Sequence, residues 1–175
     1  MNTRRNGKLN ELFPPRTNED GKKLCRKCGK ELSGRRTAWC SDDCAHEAMV
    51  ICYPSFARVE VRKRDKGICA ICGRDMTRLQ RRYWYWKRVI SKRLGWSKAH
   101  EWERRWTAKG FPAGREWWDA DHIVPVVEGG GGCGLDNYRT LCVPCHKQET
   151  AELSKRRAMS RRKKQEPGYT QQSLF

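Results

Sequence analysis

Asp121 and His122 stand side by side in DADHIVPVV, Asn137 follows a glycine-rich stretch, and His146 comes directly after the pair Cys142 and Cys145. Hydrolysis of a phosphodiester needs a base to activate water, a cation to stabilise charge on the phosphate and the leaving oxygen, and a frame that holds both. An imidazole titrates near neutrality, so His122 can be the base. Asp121 and His146 offer a carboxylate oxygen and an imidazole nitrogen, a donor pair suited to one divalent ion with positions left open for water and phosphate. The Asn137 amide cannot take up a proton, and its expected role is to hydrogen-bond across the loop and fix the orientation of His122. Taken singly, Asp-His-Ile-Val-Pro also fits an ordinary strand end with a satisfied surface histidine. The combination is what carries the signal.

The ten cysteines point to a second kind of chemistry. Zinc takes four thiolates or imidazoles in a tetrahedron, and a knuckle of two closely spaced cysteines supplies half of that set from one turn. Cys25, Cys28, Cys40 and Cys44 form one such set within CRKCGKELSGRRTAWCSDDC, with Ser41 expected to cap a short helix carrying Cys44. Cys69 and Cys72 in CAIC form the second set with Cys142 and Cys145 in CVPC, across a long gap. His46 is a candidate substitute ligand near the first set. Cys52 and Cys133 have no partner at ligand spacing and read as small buried hydrophobes.

The elements that must position these groups follow from periodicity and turn chemistry. Residues 1–20 are polar, contain Pro14 and Pro15, and read as a disordered arm. Residues 21–50 hold the first cysteine set. Residues 55–158 form the next unit, opening with a helix capped by Ser55, with Phe56 and Val59 on one face and Gly67 closing it. Within it, 78–117 is a helical insertion, since Leu79, Tyr83, Trp86, Ile90 and Leu94 recur at three- and four-residue steps. Gly95 and Ser97 separate this helix from another carrying Ala99, Trp102 and Trp106. Seven of the eight tryptophans lie between Trp84 and Trp118. They suit a small core of the insertion's own, or a DNA-contacting arm, because Arg78, Arg81, Arg82, Lys87, Arg88, Lys92 and Arg93 surround them. DADHIVPVV then reads as a strand, EGGGGCG as a loop, YRTL as a strand, and HKQETAELSKRRA as a helix with Pro144 in its first turn. Arg139 is either a phosphate contact or an outward-facing strand residue. Asp119 reads as strand-edge structure, and His100 as a helix residue without a role. Residues 159–175 form a basic flexible tail.

Composition bounds the partners. The net charge is +18 and the sequence pI about 9.8, so nucleic acid is the expected partner. Two zinc-bound four-thiolate sites would lower the charge only to about +14. A mean hydropathy of -0.94 allows a thin core, and bound zinc would have to supplement it. No segment is apolar enough for a membrane helix, and MNTRRNGKLN lacks the apolar stretch of a secretory signal. An intracellular, cytoplasmic protein of bacterial or phage type, not secreted, is expected.

The segments CAIC at 69–72, WDADHIVPVVEGG at 118–130 and LDNYRTLCVPCH at 135–146 resemble the HNH endonuclease family. The resemblance covers roughly 55–77 and 117–158. It implies that His122 is the general base, that Asp121 and His146 bind the catalytic divalent cation (Mg²⁺, Mn²⁺ or similar), that Asn137 is the family's middle asparagine, and that Cys69, Cys72, Cys142 and Cys145 hold a structural zinc. The long insertion and the separate first cysteine set depart from the family's compact pattern. The expected fold class is α+β, a small zinc-stapled ββα-metal domain with an N-terminal four-cysteine module and a Trp-rich helical insertion. Its expected cofactors are two structural zinc ions and one catalytic cation. The expected activity is hydrolysis of DNA, one strand per site, by a monomer or homodimer, alone or with other proteins. Candidate DNA contacts are Arg81, Arg82, Lys87, Arg88, Lys92, Arg93 and Arg139. Two alternatives share these features: a zinc protein that binds DNA or RNA without cutting, and a nuclease subunit of a phage packaging or restriction machine.

Overall fold

The computed structural model describes residues 3–165, so the last ten positions of the expected basic tail lie outside it. The chain is α+β, and its described residues fall into two compact units. One holds the chain up to Ala70 together with Ala120–Thr140; the other holds Ile71–Asp119 and the chain from Leu141 onward.

The first unit opens with helix α1 (Thr3–Leu12) where polar composition predicts a disordered arm. Two contacts account for the order. Phe13 packs edge-on against Trp39 at 5.8 Å, and Arg26 donates to the Asn10 side-chain oxygen at 2.8 Å. Strands β1 (Arg16–Thr17) and β2 (Lys23–Leu24) pair antiparallel, with Arg16 opposite Leu24, and lead into the first cysteine knuckle. Helix α2 (Asp42–Cys52) starts as expected: the Ser41 hydroxyl accepts from the Cys44 amide at 3.1 Å. Helix α3 (Pro54–Asp65) starts one residue before the expected cap, because Pro54 presets the first-turn φ and has no amide to orphan; Tyr53 takes the cap position without a side-chain bond, and Ser55 falls inside the helix. Its buried face is Ala57 and Val61, whereas Val59 is 51% exposed. Helix α3 ends at Lys66, whose φ of 55° is left-handed, just before Gly67.

The second unit is built around helix α4 (Met76–Leu94) and helix α5 (Trp96–Ala108), which pack on each other. Asp75 caps α4 by accepting from the Arg78 amide at 2.8 Å. Gly95 ends α4 and also begins α5, so Ser97 lies within the second helix rather than at its cap. The buried line of α4 holds Met76 and Tyr83, and Trp86 and Leu94 from the expected stripe are exposed. Tryptophans do form a core here. Trp106 stacks on Trp117 at 5.0 Å, and Tyr83 and Phe111 lie 4.8 and 4.9 Å from the same Trp117 ring. The Trp117 indole donates to the Pro112 carbonyl at 2.9 Å, which satisfies its polar edge.

Strand β3 (Trp118–His122) pairs with strand β4 (Tyr138–Cys142), and helix α6 (Val143–Gln165) follows at once. Backbone bonds at both ends, Ile123 to Asn137 and Val143 to Trp117, mark an antiparallel ladder. The strand expected over DADHIVPVV stops at His122. Pro125 has no amide to give a ladder, and Val126–Glu128 turns into a short 3₁₀ segment. Residues 159–165, expected in a flexible tail, continue α6.

Candidate active site

The antiparallel pairing puts Asp121 opposite Arg139 and His122 opposite Tyr138. The Asp121 carboxylate accepts from the Arg139 guanidinium at 3.2 Å, both side chains being mostly buried, and the His122 ring lies 4.3 Å from the Tyr138 ring. Arg139, a candidate phosphate contact by sequence, is thus engaged within the strand pair. Helix α3 braces this hairpin. Arg64 donates to the Leu135 and Tyr138 carbonyls at 2.8 and 2.6 Å, and the Asp65 carboxylate accepts from the Thr140 amide at 2.9 Å. Burial pushes the Asp65 carboxyl up, but Arg64 and the Thr140 amide outweigh it and hold the group below its ordinary range.

Asn137 closes the loop that begins directly after His122. Its side-chain oxygen accepts from the Val124 amide at 2.8 Å, and its amide donates to the Val124 and Gly130 carbonyls, both at 3.0 Å. The same amide lies 3.3 Å from the sulfur of Cys133, which is half-buried. Such a clasp needs close backbone approach. A Cβ on Gly130 would fall 1.8 Å from the Val124 carbonyl oxygen and 2.8 Å from the Asn137 amide nitrogen. Gly130→Ala is therefore expected to open the loop, lowering stability by about 1–3 kcal/mol and the melting temperature by roughly 3–10 °C, as calorimetry would read. An unchanged melting curve would mean that the clasp does not constrain the loop.

His146 sits in the first turn of α6, in the second unit. Its Nδ1 lies 3.2 Å from a carboxylate oxygen of Asp119, which also accepts from Arg115 at 3.0 Å. Asp119, expected as strand-edge structure, thus has a partner at the start of α6. The missed signal is the two-residue period of a strand, which sets Asp119 and Asp121 on the same face of β3. At 3.2 Å the Asp119–His146 contact has the length of a hydrogen bond, which fixes the orientation of the His146 ring.

The cysteines gather as their spacing predicts. Cys25, Cys28, Cys40 and Cys44 place their sulfurs within 4.8 Å of one another. Cys72, Cys142 and Cys145 do the same in the second unit, and Cys69, two residues ahead of that unit's start, completes the second set. A tetrahedral ion with bonds of about 2.3 Å separates its sulfurs by roughly 3.8 Å. The contacts match: Cys28 to Cys40 at 3.5 Å, Cys40 to Cys44 at 3.6 Å and Cys72 to Cys142 at 3.8 Å. Both sets could hold zinc. Hydrogen bonds from the neighbouring sulfurs of Cys28 and Cys44 push the Cys40 thiol up to about 12. For Cys25, burial raises the thiol, but backbone amides outweigh it and bring it down to about 6. His46 pairs with Glu60 at 3.1 Å instead of joining the first set, and Cys52 is fully buried. Among the candidate DNA contacts on α4, Lys87 is engaged with Glu103 at 2.7 Å, while Arg81, Arg82, Arg88, Lys92 and Arg93 are exposed.

A hairpin with an aspartate–histidine pair at the end of its first strand, leading into a helix that opens on a cysteine knuckle and a histidine, has the form of a ββα nuclease. Comparison with known proteins narrows this class. Residues 110–152 match the family model described as HNH endonuclease, so the chain carries an HNH endonuclease-family segment. It is 33% identical over 156 residues to the "DNA annealing helicase and endonuclease ZRANB3" of Mus musculus and 31% identical over 162 residues to that of Homo sapiens. Each match covers 82% of this chain but only 15% and 14% of the relative, so the chain spans about a seventh of the length of these proteins. The crystal structure of the human ZRANB3 HNH domain is 32% identical, with 62% of this chain and 95% of that one covered and a TM-score of 0.41. No helix among the described residues is long and apolar enough to cross a membrane.

Proposed function

We propose that this chain is a divalent-metal-dependent endonuclease that hydrolyses DNA and cuts one strand per active site. The observation that carries the nuclease reading is the match of residues 110–152 to the HNH endonuclease family model, within which His122, Asn137 and His146 all fall; the metal dependence rests on the donor chemistry of Asp121 and His146. His122 takes the proton from the attacking water. Asp121 and His146 are the residues that would hold the cation, and Asp119 would orient the His146 ring through Nδ1. Asn137 fixes the backbone that follows His122, so the imidazole meets the phosphate in one orientation. When bound, the cation would polarise the scissile phosphate and stabilise charge on the leaving oxygen. The cysteine sets would bind zinc and staple the frame. DNA as the substrate rests on the strongly basic charge and on the relatives, whose names describe action on DNA.

The test is a supercoiled-plasmid assay. Open-circle product should accumulate with added Mg²⁺ or Mn²⁺, and should disappear after dialysis that leaves only cysteine-bound zinc. Full activity without added cation would overturn the metal-dependent reading.

A further inference from the structure

Every charged residue of α4 is a cation. Lys87 alone turns toward α5, where Glu103 meets it. At about 100° per residue, the face opposite buried Tyr83 carries Arg78, Arg81, Arg88 and Lys92, with Tyr85 at its centre. Among the described residues, none of these four cations makes an ion pair. Helix α5 is different: its Lys98 and Arg105 both pair with Glu101. Like charges one turn apart, such as Arg78 with Arg82 and Arg88 with Lys92, weaken a helix. A face built this way is suited to an anion supplied from outside.

Two further observations say which anion. Arg74, Arg78 and Arg82 line an open groove of about 330 Å³ with Asp75 and Leu79; the one carboxylate there caps the helix by accepting from the Arg78 amide, which leaves three cations against it. Tyr85, 52% exposed, puts flat aromatic surface in the middle of the cationic face, and Trp86 on its flank touches it edge-to-face at 5.3 Å. Cations alone would serve the backbone of any duplex. Exposed rings add binding only where a base face is free to stack, and in a duplex those faces are covered.

We propose that the outward face of α4 binds a single-stranded segment of DNA, with phosphates on the arginines and a base stacked on Tyr85. This rests on the DNA-directed reading above and extends it from DNA in general to DNA with unpaired bases.

The full chain, without added divalent cation so that cleavage is off, is titrated against a labelled single strand and a blunt duplex of equal length, read by fluorescence anisotropy. Tyr85→Ala should weaken the single strand about tenfold and the duplex less than twofold. Tyr85→Phe, which keeps the ring, should bind like the parent. Arg81→Gln with Arg88→Gln should weaken both ligands and reduce the single-strand salt slope by about 1.4. Circular dichroism would establish that each variant keeps its helicity; exposed Tyr85 has no core to disturb. Equal loss on both ligands, or no loss on the single strand, would overturn the proposal. Binding as stated by a parent that never nicks plasmid under any divalent cation would refute the nuclease reading and leave this one standing.

Discussion

His122→Ala should slow strand cleavage by about 10²–10⁴-fold, the span of a lost general base, while DNA affinity and zinc content stay at parental values. The specificity of that outcome comes from where His122 sits. Its ring is half-buried at the last position of β3, against the half-buried Tyr138. The Asn137 clasp holds the loop through backbone groups of Val124 and Gly130, so it survives loss of the imidazole. Single-turnover cleavage with saturating divalent cation reads the chemical step directly. A variant that cuts at the parental rate would remove His122 from the mechanism. A variant that loses zinc or melts early would mean that the histidine is part of the frame.

Much of this site was legible because its signals are local. The first cysteine set follows from spacing, since its two knuckles lie within 20 residues and zinc demands four donors; the second joins two knuckles across a long gap and was legible only because Cys142 and Cys145 sit inside the catalytic motif. The strand–loop–strand–helix order follows from β-branched runs, a glycine cluster and Pro144. What the sequence hid depends on partners that no periodicity reveals. Asp119 gains its place beside His146 through the strand pairing, and Arg139 turns out to face Asp121 across the hairpin. In α4 the expected stripe runs 79, 83, 86, 90, 94, but the helix turns Lys87 inward to meet Glu103 and leaves Trp86 in solvent. A lysine read as a DNA contact faces the neighbouring helix in a part-buried ion pair, and a tryptophan read as part of the apolar stripe stands half-exposed. Helix α1 was missed for a similar reason: its order comes from Trp39 and Arg26, both outside the segment.

Cys142→Ser should cost the protein one of two bound zinc ions per chain and much of its thermal stability. Cys142 is fully buried at the end of β4, one residue before α6 begins, and its sulfur lies 3.8 Å from that of Cys72. Structural zinc contributes about 10–16 kcal/mol of apparent binding free energy, and domains of ordinary size have only about 5–15 kcal/mol of net stability. In a chain with mean hydropathy -0.94, apolar burial has little excess with which to replace that contribution. A serine hydroxyl is a poor ligand in place of a thiolate and leaves a buried polar atom beside Leu141 and Val143, so the ion and the packing are lost together. Metal analysis should read one zinc where the parent reads two, and the melting transition should fall by well over ten degrees. Cys52→Ser is the matched control: Cys52 is equally buried but belongs to neither cysteine set, so that variant should keep both zinc ions and lose only the smaller cost of a buried hydroxyl. If Cys142→Ser retained two zinc ions and the parental melting temperature, the second cysteine set would not be a stabilising zinc site.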